Sequence, residues 1–262
     1  MNILTLISFI LAIGVFFAGL YLSSPELGMF YDTTSLFIVV GGSIAATAIA
    51  FRLNKILIMF KVFMLRVLGA NEIKTRPLVT EIILAIDHLK KGKSLNELVD
   101  GASDFFFKEA LMLVQDGLLE RDDLIEVLND RNNHIVNSYR GETSKLKAIG
   151  KFPPAFGMVG TTIGMIVLLA NLGGEDAMKK IGPAMGVCLI TTMYGAAIAN
   201  LFLVPMAENL NQNAKEVYLK NEIIIAGATL ILDKANPIFA AEKLNSFLNP
   251  GDRVDWKEIL KK

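Results

Sequence analysis

The stretch that decides the fold lies between residues 152 and 207 and consists of two uncharged runs joined by a short charged turn. The first run reads FPPAFGMVGTTIGMIVLLANLGG (152–174), and the second reads IGPAMGVCLITTMYGAAIANLFLVPMA (181–207). A helix of about 20 apolar residues crosses the hydrocarbon core of a bilayer. Each run is long enough for this, so the stretch predicts a membrane hairpin of two helices.

Two further uncharged runs lie upstream, in residues 2–25 and 33–51. The apolar part of the first, residues 3–22, is longer than the roughly 7–15 residues of a signal-peptide core, and no basic residue precedes it. We therefore expect a membrane helix that is retained. Small residues between 41 and 48 let a neighbouring helix approach the second run closely. The sequence thus predicts four transmembrane helices.

The charged residues are segregated from these runs, since the chain is 53% hydrophobic and 20% charged. All lysines and arginines except Lys179 and Lys180 lie in residues 52–151 or after residue 207. Asp104 is placed to cap a helix, and Pro237 is placed to interrupt one. We expect an all-α polytopic membrane protein with a helical cytoplasmic domain. Helical spacing of apolar residues marks three stretches of that domain: 78–89, 105–118 and 124–136.

Orientation follows from the basic residues, because cytoplasmic loops collect lysine and arginine. Arg52, Lys55 and Lys151 adjoin the ends of predicted spans, so both charged segments are expected to be cytoplasmic. Four spans then place the N- and C-termini on the same side. The predicted domains are a first transmembrane hairpin (1–51), a cytoplasmic helical domain (52–151), a second transmembrane hairpin (152–207) and cytoplasmic C-terminal helices with a tail (208–262).

The sequence contains no constellation typical of an enzyme. His88 and His134 stand alone, without a cysteine or histidine at ligand spacing, and no GxxxxGK or Gly-x-Ser-x-Gly motif occurs. Cys188, the only cysteine, lies inside a span and is interpreted as a packing residue. The net charge of zero gives no sign of nucleic-acid binding. We expect a protein that is not an enzyme and holds no permanent cofactor or metal.

The second hairpin carries two threonine pairs, Thr161 with Thr162 and Thr191 with Thr192. Each hydroxyl can bond back to a carbonyl of its own helix, with no functional consequence. The alternative is a polar path in which the hydroxyls help to strip and coordinate a small cation. The G-x-x-x-G motif at residues 160–164 is typical of helices that pack closely in lipid.

None of the four runs contains Asp or Glu, although ion transfer through a membrane normally uses an intramembrane carboxylate. A cation-conducting role therefore needs a carboxylate from elsewhere. Asp32, at the outer end of the second run, is the nearest one, and it is equally suited to cap a helix. Pro154 and Pro205 lie at the inner boundaries of the second hairpin, where each removes a backbone hydrogen bond. They are interpreted either as a hinge or as boundary markers.

Five segments together carry a specific resemblance. They are GMFYDTTS (28–35), IVVGGS (38–43), PAFGMVGTTIG (154–164), IGPAM (181–185) and LITTMYGAAIAN (189–200). On these segments the chain resembles the A subunit of the bacterial flagellar stator, the MotA/PomA family. The resemblance extends over nearly the whole chain and includes the arrangement of four spans, large loop and tail.

The resemblance implies a function in the bacterial inner membrane. Five copies of the chain would surround two copies of a single-span B subunit, whose intramembrane aspartate supplies the missing carboxylate and whose outer domain binds peptidoglycan. Cation flow would turn the ring, and its cytoplasmic loops would push on the rotor switch complex. One elementary charge moving through 100 mV releases about 2.3 kcal/mol, which is adequate for this work.

The resemblance also implies an ion path. Thr161 and Thr192 correspond to threonines that line the path in sodium-driven members, and Asp32 corresponds to their acidic residue at the outer end of the second span. Thr191, beside Thr192, is included in the expected path. Proton-driven members commonly have a small apolar residue at the position of Thr161, so Na⁺ is favoured over H⁺ as the transported ion.

The resemblance implies roles in torque generation for further residues. Pro154 and Pro205 correspond to the family's two functionally important prolines. The family's rotor-contacting charges fall near Lys90, Lys91 and Glu97, although the register departs from the family pattern after Gly92. A solvated helix face is the alternative interpretation of these three charges.

Two other functions remain open at this point. Energising subunits for outer-membrane transport belong to the same superfamily and share the last two spans, but they have three spans and a different N-terminus. A non-conducting membrane scaffold that assembles through its small-residue faces represents a different class.

Overall fold

The computed structural model describes residues 3–51, 73–173 and 177–261. All regular secondary structure in these ranges is helical, which confirms the all-α prediction. Arg52 and Lys55, used above to predict orientation, lie outside the described residues. So do Glu175 and Asp176 of the predicted turn.

Most of the described residues belong to α-helices. They are α1 (Ile3–Ser23), α2 (Thr33–Leu36), α3 (Gly42–Ala50), α4 (Thr75–Lys90), α5 (Leu95–Gly101), α6 (Phe105–Asp116), α7 (Arg121–Ile149), α8 (Phe152–Asn171), α9 (Ala177–Ala197), α10 (Val204–Leu232), α11 (Pro237–Asn245) and α12 (Trp256–Ile259). Two π-helical segments, Phe37–Gly41 and Ile198–Leu203, continue the path of α2 into α3 and of α9 into α10. Single 3₁₀ turns cover Leu27–Phe30 and Pro250–Asp252.

The chain packs as two compact units. One comprises residues 1–71 and 140–211, and the other comprises residues 72–139 and 212–262. These are boundaries of packing, whereas the domain boundaries predicted from the sequence mark the ends of membrane spans. The four-part division at residues 51, 151 and 207 therefore stays a prediction.

The first unit carries the apolar helices. In α1 the apolar stretch Ile7–Ser23 has 17 residues and is shorter than the three candidate spans given below. Leu22, Ile49 and Leu189 are 85%, 88% and 68% exposed, and apolar surface exposed to this extent along long helices marks contact with lipid. The chain is therefore a membrane protein, as predicted. Within the described ranges, three helical stretches are long and apolar enough to cross a bilayer: Leu27–Ala50, Arg121–Asn171 and Met178–Leu232.

The second unit has an apolar core built from α4, α6, α10 and α11 together with the first half of α7. Ile82, Phe107 and Leu128 are among its fully buried side chains, and each contributes about 1.5–3 kcal/mol relative to an exposed position. Gly227 lets α10 approach α4 closely, because a methyl group at that position would lie only 2.7 Å from Cγ2 of Ile82. The helical patterns predicted for the charged segment are thus confirmed.

Two predicted helix boundaries of this unit are also confirmed. Asp104 caps α6 through its Oδ1, which accepts hydrogen bonds from the backbone N–H of Phe106 at 2.9 Å and of Phe107 at 3.1 Å. Its other oxygen lies 2.6 Å from Nζ of Lys220. Pro237 begins α11 after Asn236, whose side chain accepts the N–H of Ile238, because a proline is favourable in the first helical turn.

The C-terminal tail docks on this core. Asn245 accepts the N–H of Val254 and donates to its carbonyl, both at 2.9 Å, and Val254 is buried. Trp256 packs against the core and donates its Nε1–H to Glu242. The sequence had left a docked helix and a frayed end open, and these contacts favour the docked helix α12.

Candidate functional site

Helices α8 and α9 pack closely because glycines of α8 face α9. A methyl group on Gly157 would lie 2.9 Å from the carbonyl oxygen of Thr191, and one on Gly164 would lie 2.6 Å from Sγ of Cys188. Gly160 lies against the Thr191 side chain, with no room for a Cβ. All three glycines are buried. The close packing predicted from the G-x-x-x-G motif is therefore confirmed, and it sets the register of the two helices.

That register brings Thr161 of α8 together with Thr192 of α9. Their hydroxyl oxygens lie 2.6 Å apart. The Thr161 hydroxyl also lies 3.0 Å from the carbonyl oxygen of Gly157 in its own helix. Each hydroxyl has one proton to donate and two lone pairs, so the contact between them and the bond back to the helix compete for the same protons. The structure thus contains both the bond back to the helix and a contact between hydroxyls of the two helices, and the cation path stays a prediction.

A backbone carbonyl lies at the centre of this arrangement. The carbonyl oxygen of Cys188 lies 3.0 Å from the hydroxyl of Thr161, 3.1 Å from that of Thr191 and 3.2 Å from that of Thr192. We refer to these three hydroxyls and this carbonyl as the oxygen cluster. Sequence reasoning treated Cys188 as a packing residue only, and its thiol does pack, 3.3 Å from the carbonyl of Thr161. Its carbonyl was missed because any residue type provides one.

The three threonines differ in their surroundings. Thr191 is fully buried, and its hydroxyl also bonds to the carbonyl of Val187 at 2.8 Å. Thr192 belongs to the exposed surface of the described chain, and Thr161 is partly buried. Thr162 bonds back only to Met158 of its own helix among the contacts of its hydroxyl that the structure gives. The accessible part of the oxygen cluster is therefore formed by Thr161 and Thr192.

Hydroxyl and carbonyl oxygens are ligands that a hard cation accepts in place of water. The oxygen cluster has no charge of its own. Among the described residues no group of three or more His, Cys, Asp or Glu side chains is arranged to hold a metal ion. The cluster can therefore ease the partial dehydration of a passing cation, whereas trapping it requires a carboxylate.

Asp32 lies at a different place from the oxygen cluster. Its carboxylate caps α2 by accepting the N–H of Ser35 at 2.6 Å, so the capping role left open by the sequence is confirmed. Its backbone N–H donates to the hydroxyl of Tyr194 at 3.3 Å, and the same hydroxyl donates to the carbonyl of Phe30 at 2.7 Å. Tyr194 was missed by sequence reasoning, because its partners lie more than 160 residues away in the chain.

Four residues of α9 between Thr191 and Gly195 thus contact two other parts of the chain. Thr191 and Thr192 contact the glycine face of α8, and Tyr194 contacts the connection before α2. Gly195 lies against the start of α8, where a methyl group would be 2.5 Å from the carbonyl oxygen of Pro153. Any tilt of α9 at this level changes all of these contacts together.

The two prolines predicted to matter occupy different helical positions. Pro154 lies in the first turn of α8, where its missing N–H has no helical partner to lose, so it marks a helix start. Pro205 lies in the interior of a continuous helical path, two residues after the end of the π-helical segment Ile198–Leu203. Its ring and missing N–H are incompatible with a regular i→i−4 ladder at this point. Of the two prolines, Pro205 therefore interrupts a helix.

The predicted rotor-contact charges lie together on the second unit. Lys90 ends α4 and Lys91 follows it, while Glu97 lies in the first turn of α5; all three are exposed. Nζ of Lys91 lies 2.6 Å from Oδ2 of Asp87. Lys90 borders a cavity of about 520 Å³ with a mainly apolar lining. The lining consists of Ile86, Leu89, Leu95, Val114, Ile231, Leu232 and Ala235, with Lys90 and Lys234.

Comparison with known proteins assigns a family. Residues 99–222 match the MotA/TolQ/ExbB proton channel family. Over 234 residues the chain is 31% identical to chemotaxis protein PomA of Vibrio alginolyticus, covering 87% of this chain and 88% of that protein. It is 30% identical to motility protein A of Borreliella burgdorferi, covering 97% and 96% of the two chains.

Two solved structures share the fold. The structure of C. jejuni MotAB matches with a TM-score of 0.84 at 18% identity, covering 97% of this chain and 99% of that one. The flagellar MotAB stator complex from Bacillus subtilis matches with a TM-score of 0.84 at 21% identity, covering 95% and 97%.

Proposed function

This chain belongs to the MotA/PomA motility proteins of the MotA/TolQ/ExbB family, and on that premise we propose that it conducts cations as the A subunit of a flagellar stator. In this proposal, a single-span B subunit completes the path, and the ion gradient across the bacterial inner membrane produces torque on the flagellar rotor. The chain acts as a transport and force-generating subunit, not as an enzyme.

The oxygen cluster is the observation that supports the proposal most directly. Its two accessible hydroxyls, on Thr161 and Thr192, are 2.6 Å apart and share the carbonyl of Cys188. These neutral oxygens replace part of a cation's hydration shell, and an aspartate of the B subunit, opposite them, holds the charge. The absence of Asp and Glu from the four uncharged runs of the sequence explains why a partner is required.

Sodium is the proposed ion. A sodium ion is bound by several oxygens at once, and the accessible hydroxyls of Thr161 and Thr192 lie beside the carbonyl oxygen of Cys188. A proton moves between single donor and acceptor atoms and gains little from such a cluster. The 31% identity to PomA is consistent with this choice, and the proton is the alternative ion.

The proposed topology has four spans, with both termini in the cytoplasm. Three described stretches satisfy the length and composition of a span, and α1 is the fourth, 21 residues long. Five copies of the chain are proposed to form a ring around a dimer of the B subunit, which also binds peptidoglycan. The solved structures that share this fold are structures of MotAB, which supports a B partner.

Torque would pass from the ion path to the rotor through Pro205 and the charges of the second unit. The π-helical segment before Pro205 is an irregular part of the helix that carries Thr192, so a small change at the ion path can alter the helix direction there. Lys90, Lys91 and Glu97 are the proposed contacts to the rotor switch complex. Pro154 is proposed to fix the start of α8 against Gly195.

Swimming speed in sodium-containing and sodium-free medium tests the proposed function, with and without a protonophore. The chain is expressed with its B partner in a motile host that lacks other stators. The proposal predicts speed that depends on sodium and survives the protonophore. Speed that ignores sodium and collapses with the protonophore would assign the proton instead, and cells that never swim would contradict the stator function.

The two other functions have weaker support. An energising subunit for outer-membrane transport would share the family match at residues 99–222. However, the similarity to the motility proteins covers up to 100% of this chain and therefore includes the first apolar helices. A non-conducting scaffold would need the glycine packing but not the oxygen cluster. Valine substitutions in that cluster would therefore leave a scaffold unaffected but would impair a cation-conducting subunit.

A further inference from the structure

Tyr194 connects the first hairpin to the helix that carries the oxygen cluster. Its hydroxyl donates to the carbonyl of Phe30 at 2.7 Å and accepts the backbone N–H of Asp32 at 3.3 Å. The hydroxyl therefore uses both its donor and its acceptor capacity on backbone atoms. Both contacts are partly buried, so their loss leaves two backbone groups without partners in a poorly hydrated place.

Tyr194 lies on a different side of α9 from the oxygen cluster. Residues two positions apart on an α-helix point about 200° apart. Thr192 faces α8, where it meets Thr161, so Tyr194 faces away from the oxygen cluster and towards Asp32. Helix α9 is thus held on one side by the cluster and on the other by the Tyr194 hydroxyl.

We propose that Tyr194 is a positioning residue that sets the location of the Asp32 carboxylate relative to the oxygen cluster and thereby tunes the uptake of the cation. The inference rests on the proposed function, in which Asp32 belongs to the ion path. The carboxylate itself is fixed locally by the N–H of Ser35. The Tyr194 hydroxyl in turn attaches the capped start of α2 to α9.

The test uses Tyr194→Phe, which removes the hydroxyl and keeps the ring. Tyr31→Phe is the matched control, since it removes a hydroxyl from the neighbour of Asp32 in the chain, on a side chain that is 64% exposed. Two quantities are measured on the full stator complex with its B partner. One is hydrogen–deuterium exchange of a peptide covering residues 26–36, and the other is the sodium concentration that gives half-maximal swimming speed.

We expect Tyr194→Phe to speed exchange in residues 26–36 and to raise the half-maximal sodium concentration by about threefold to tenfold, the range for one or two lost hydrogen bonds. Maximal speed stays close to that of the wild type. Tyr31→Phe changes neither quantity. In an Asp32→Asn background, Tyr194→Phe adds nothing further to the sodium requirement, because the carboxylate it positions is gone.

Each other outcome overturns the inference. Unchanged exchange means that the hydroxyl does not hold the turn. Faster exchange with an unchanged sodium requirement means that the attachment is structural only. Additive effects in the Asp32→Asn background mean that Tyr194 acts on another group. A wild type that swims without sodium dependence instead contradicts the sodium-driven function itself, and the exchange measurement still decides whether Tyr194 anchors the turn.

Discussion

The hydroxyl oxygens of Thr161 and Thr192 lie 2.6 Å apart across the interface of two helices that glycines bring into close contact. The two residues are 31 positions apart in the chain. Both hydroxyls reach the same carbonyl, that of Cys188. Their proposed function as a unit, with the carbonyl between them, is the basis of the first prediction and of the last experiment.

The first prediction concerns the hydroxyl of Thr161. Thr161→Ser keeps the hydroxyl, whereas Thr161→Val keeps the branched shape and replaces the hydroxyl by a methyl group. We expect the serine variant to retain most of its sodium-driven swimming speed and the valine variant to lose at least half of it, because a methyl group is not a ligand for a cation. Thr192→Val should reduce swimming speed less in the Thr161→Val background than in the wild type, since the two hydroxyls act together. Equal speeds of the serine and valine variants would show that shape alone matters at this position.

The second prediction concerns the contact of α9 with the start of α8. In Gly195→Ala the new methyl group meets the backbone of Pro153 and Pro154, with the closest atom at 2.5 Å, and backbone cannot move aside as a side chain can. We expect a loss of about 1–3 kcal/mol of stability, measured as a lower midpoint of thermal unfolding of the purified complex. The control is Gly186→Ala on the same helix, where nothing lies within 4 Å of the added group. Equal midpoints of the two variants would contradict the close approach.

The third prediction concerns Pro205 and the π-helical segment before it. Pro205→Ala restores a backbone N–H and permits a regular helical ladder, and alanine is favoured over proline inside a helix by about 3 kcal/mol. We expect a complex that is as stable as the wild type or more stable, but that swims at less than half the speed. Speed and unfolding midpoint are measured on the same variant. Wild-type speed in Pro205→Ala would rule out a role for this irregular segment in force generation.

The fourth prediction concerns the second unit, where Asp104 has two roles. Its Oδ1 caps α6 and its Oδ2 pairs with Lys220, and the two side chains are 22% and 19% exposed. Asp104→Asn keeps the cap and removes the charge, whereas Asp104→Ala removes both. We expect the alanine variant to lose about 1–2 kcal/mol of stability through the cap alone and to unfold at a lower temperature than the asparagine variant. If the two variants unfold at the same temperature, the cap contributes little to stability at this site.

The sequence predicted those features that depend on local chemistry. Apolar spacing predicted a helix over residues 105–118, where α6 spans Phe105–Asp116, and the short carboxylate of Asp104 was sufficient to predict its cap. The capping role of Asp32 was predicted for the same reason. A cap requires only the few residues that follow it, so no knowledge of the tertiary fold is needed.

Features that depend on helix register could not be predicted in detail. Threonines and glycines were assigned to common faces of α8 and α9, but the meeting of Thr161 and Thr192 depends on how far one helix slides along the other. The glycine contacts of Gly157 and Gly164 set that offset, and a slide of one turn would separate the hydroxyls. Tyr194 was missed for the same reason.

The two prolines show a further limit of sequence reasoning. Pro154 and Pro205 were treated alike, because proline has the same effect on a backbone hydrogen bond wherever it occurs. Their effect depends on the distance from the helix start, which is short for Pro154 and long for Pro205. Only the continuous path from α9 through Ile198–Leu203 into α10 reveals this difference.

The most direct test of the oxygen cluster compares Thr192→Val with Thr162→Val in sodium-driven swimming. Thr162 has the same chemistry as Thr192 but bonds to Met158 in its own helix, so it is a matched control one position beyond Thr161. Both variants are purified with the B partner to verify wild-type amounts of the complex. The account predicts that Thr192→Val swims at less than half the wild-type speed at saturating sodium, while Thr162→Val swims normally. Normal swimming and normal sodium dependence in Thr192→Val would contradict the claim that this cluster is part of the ion path.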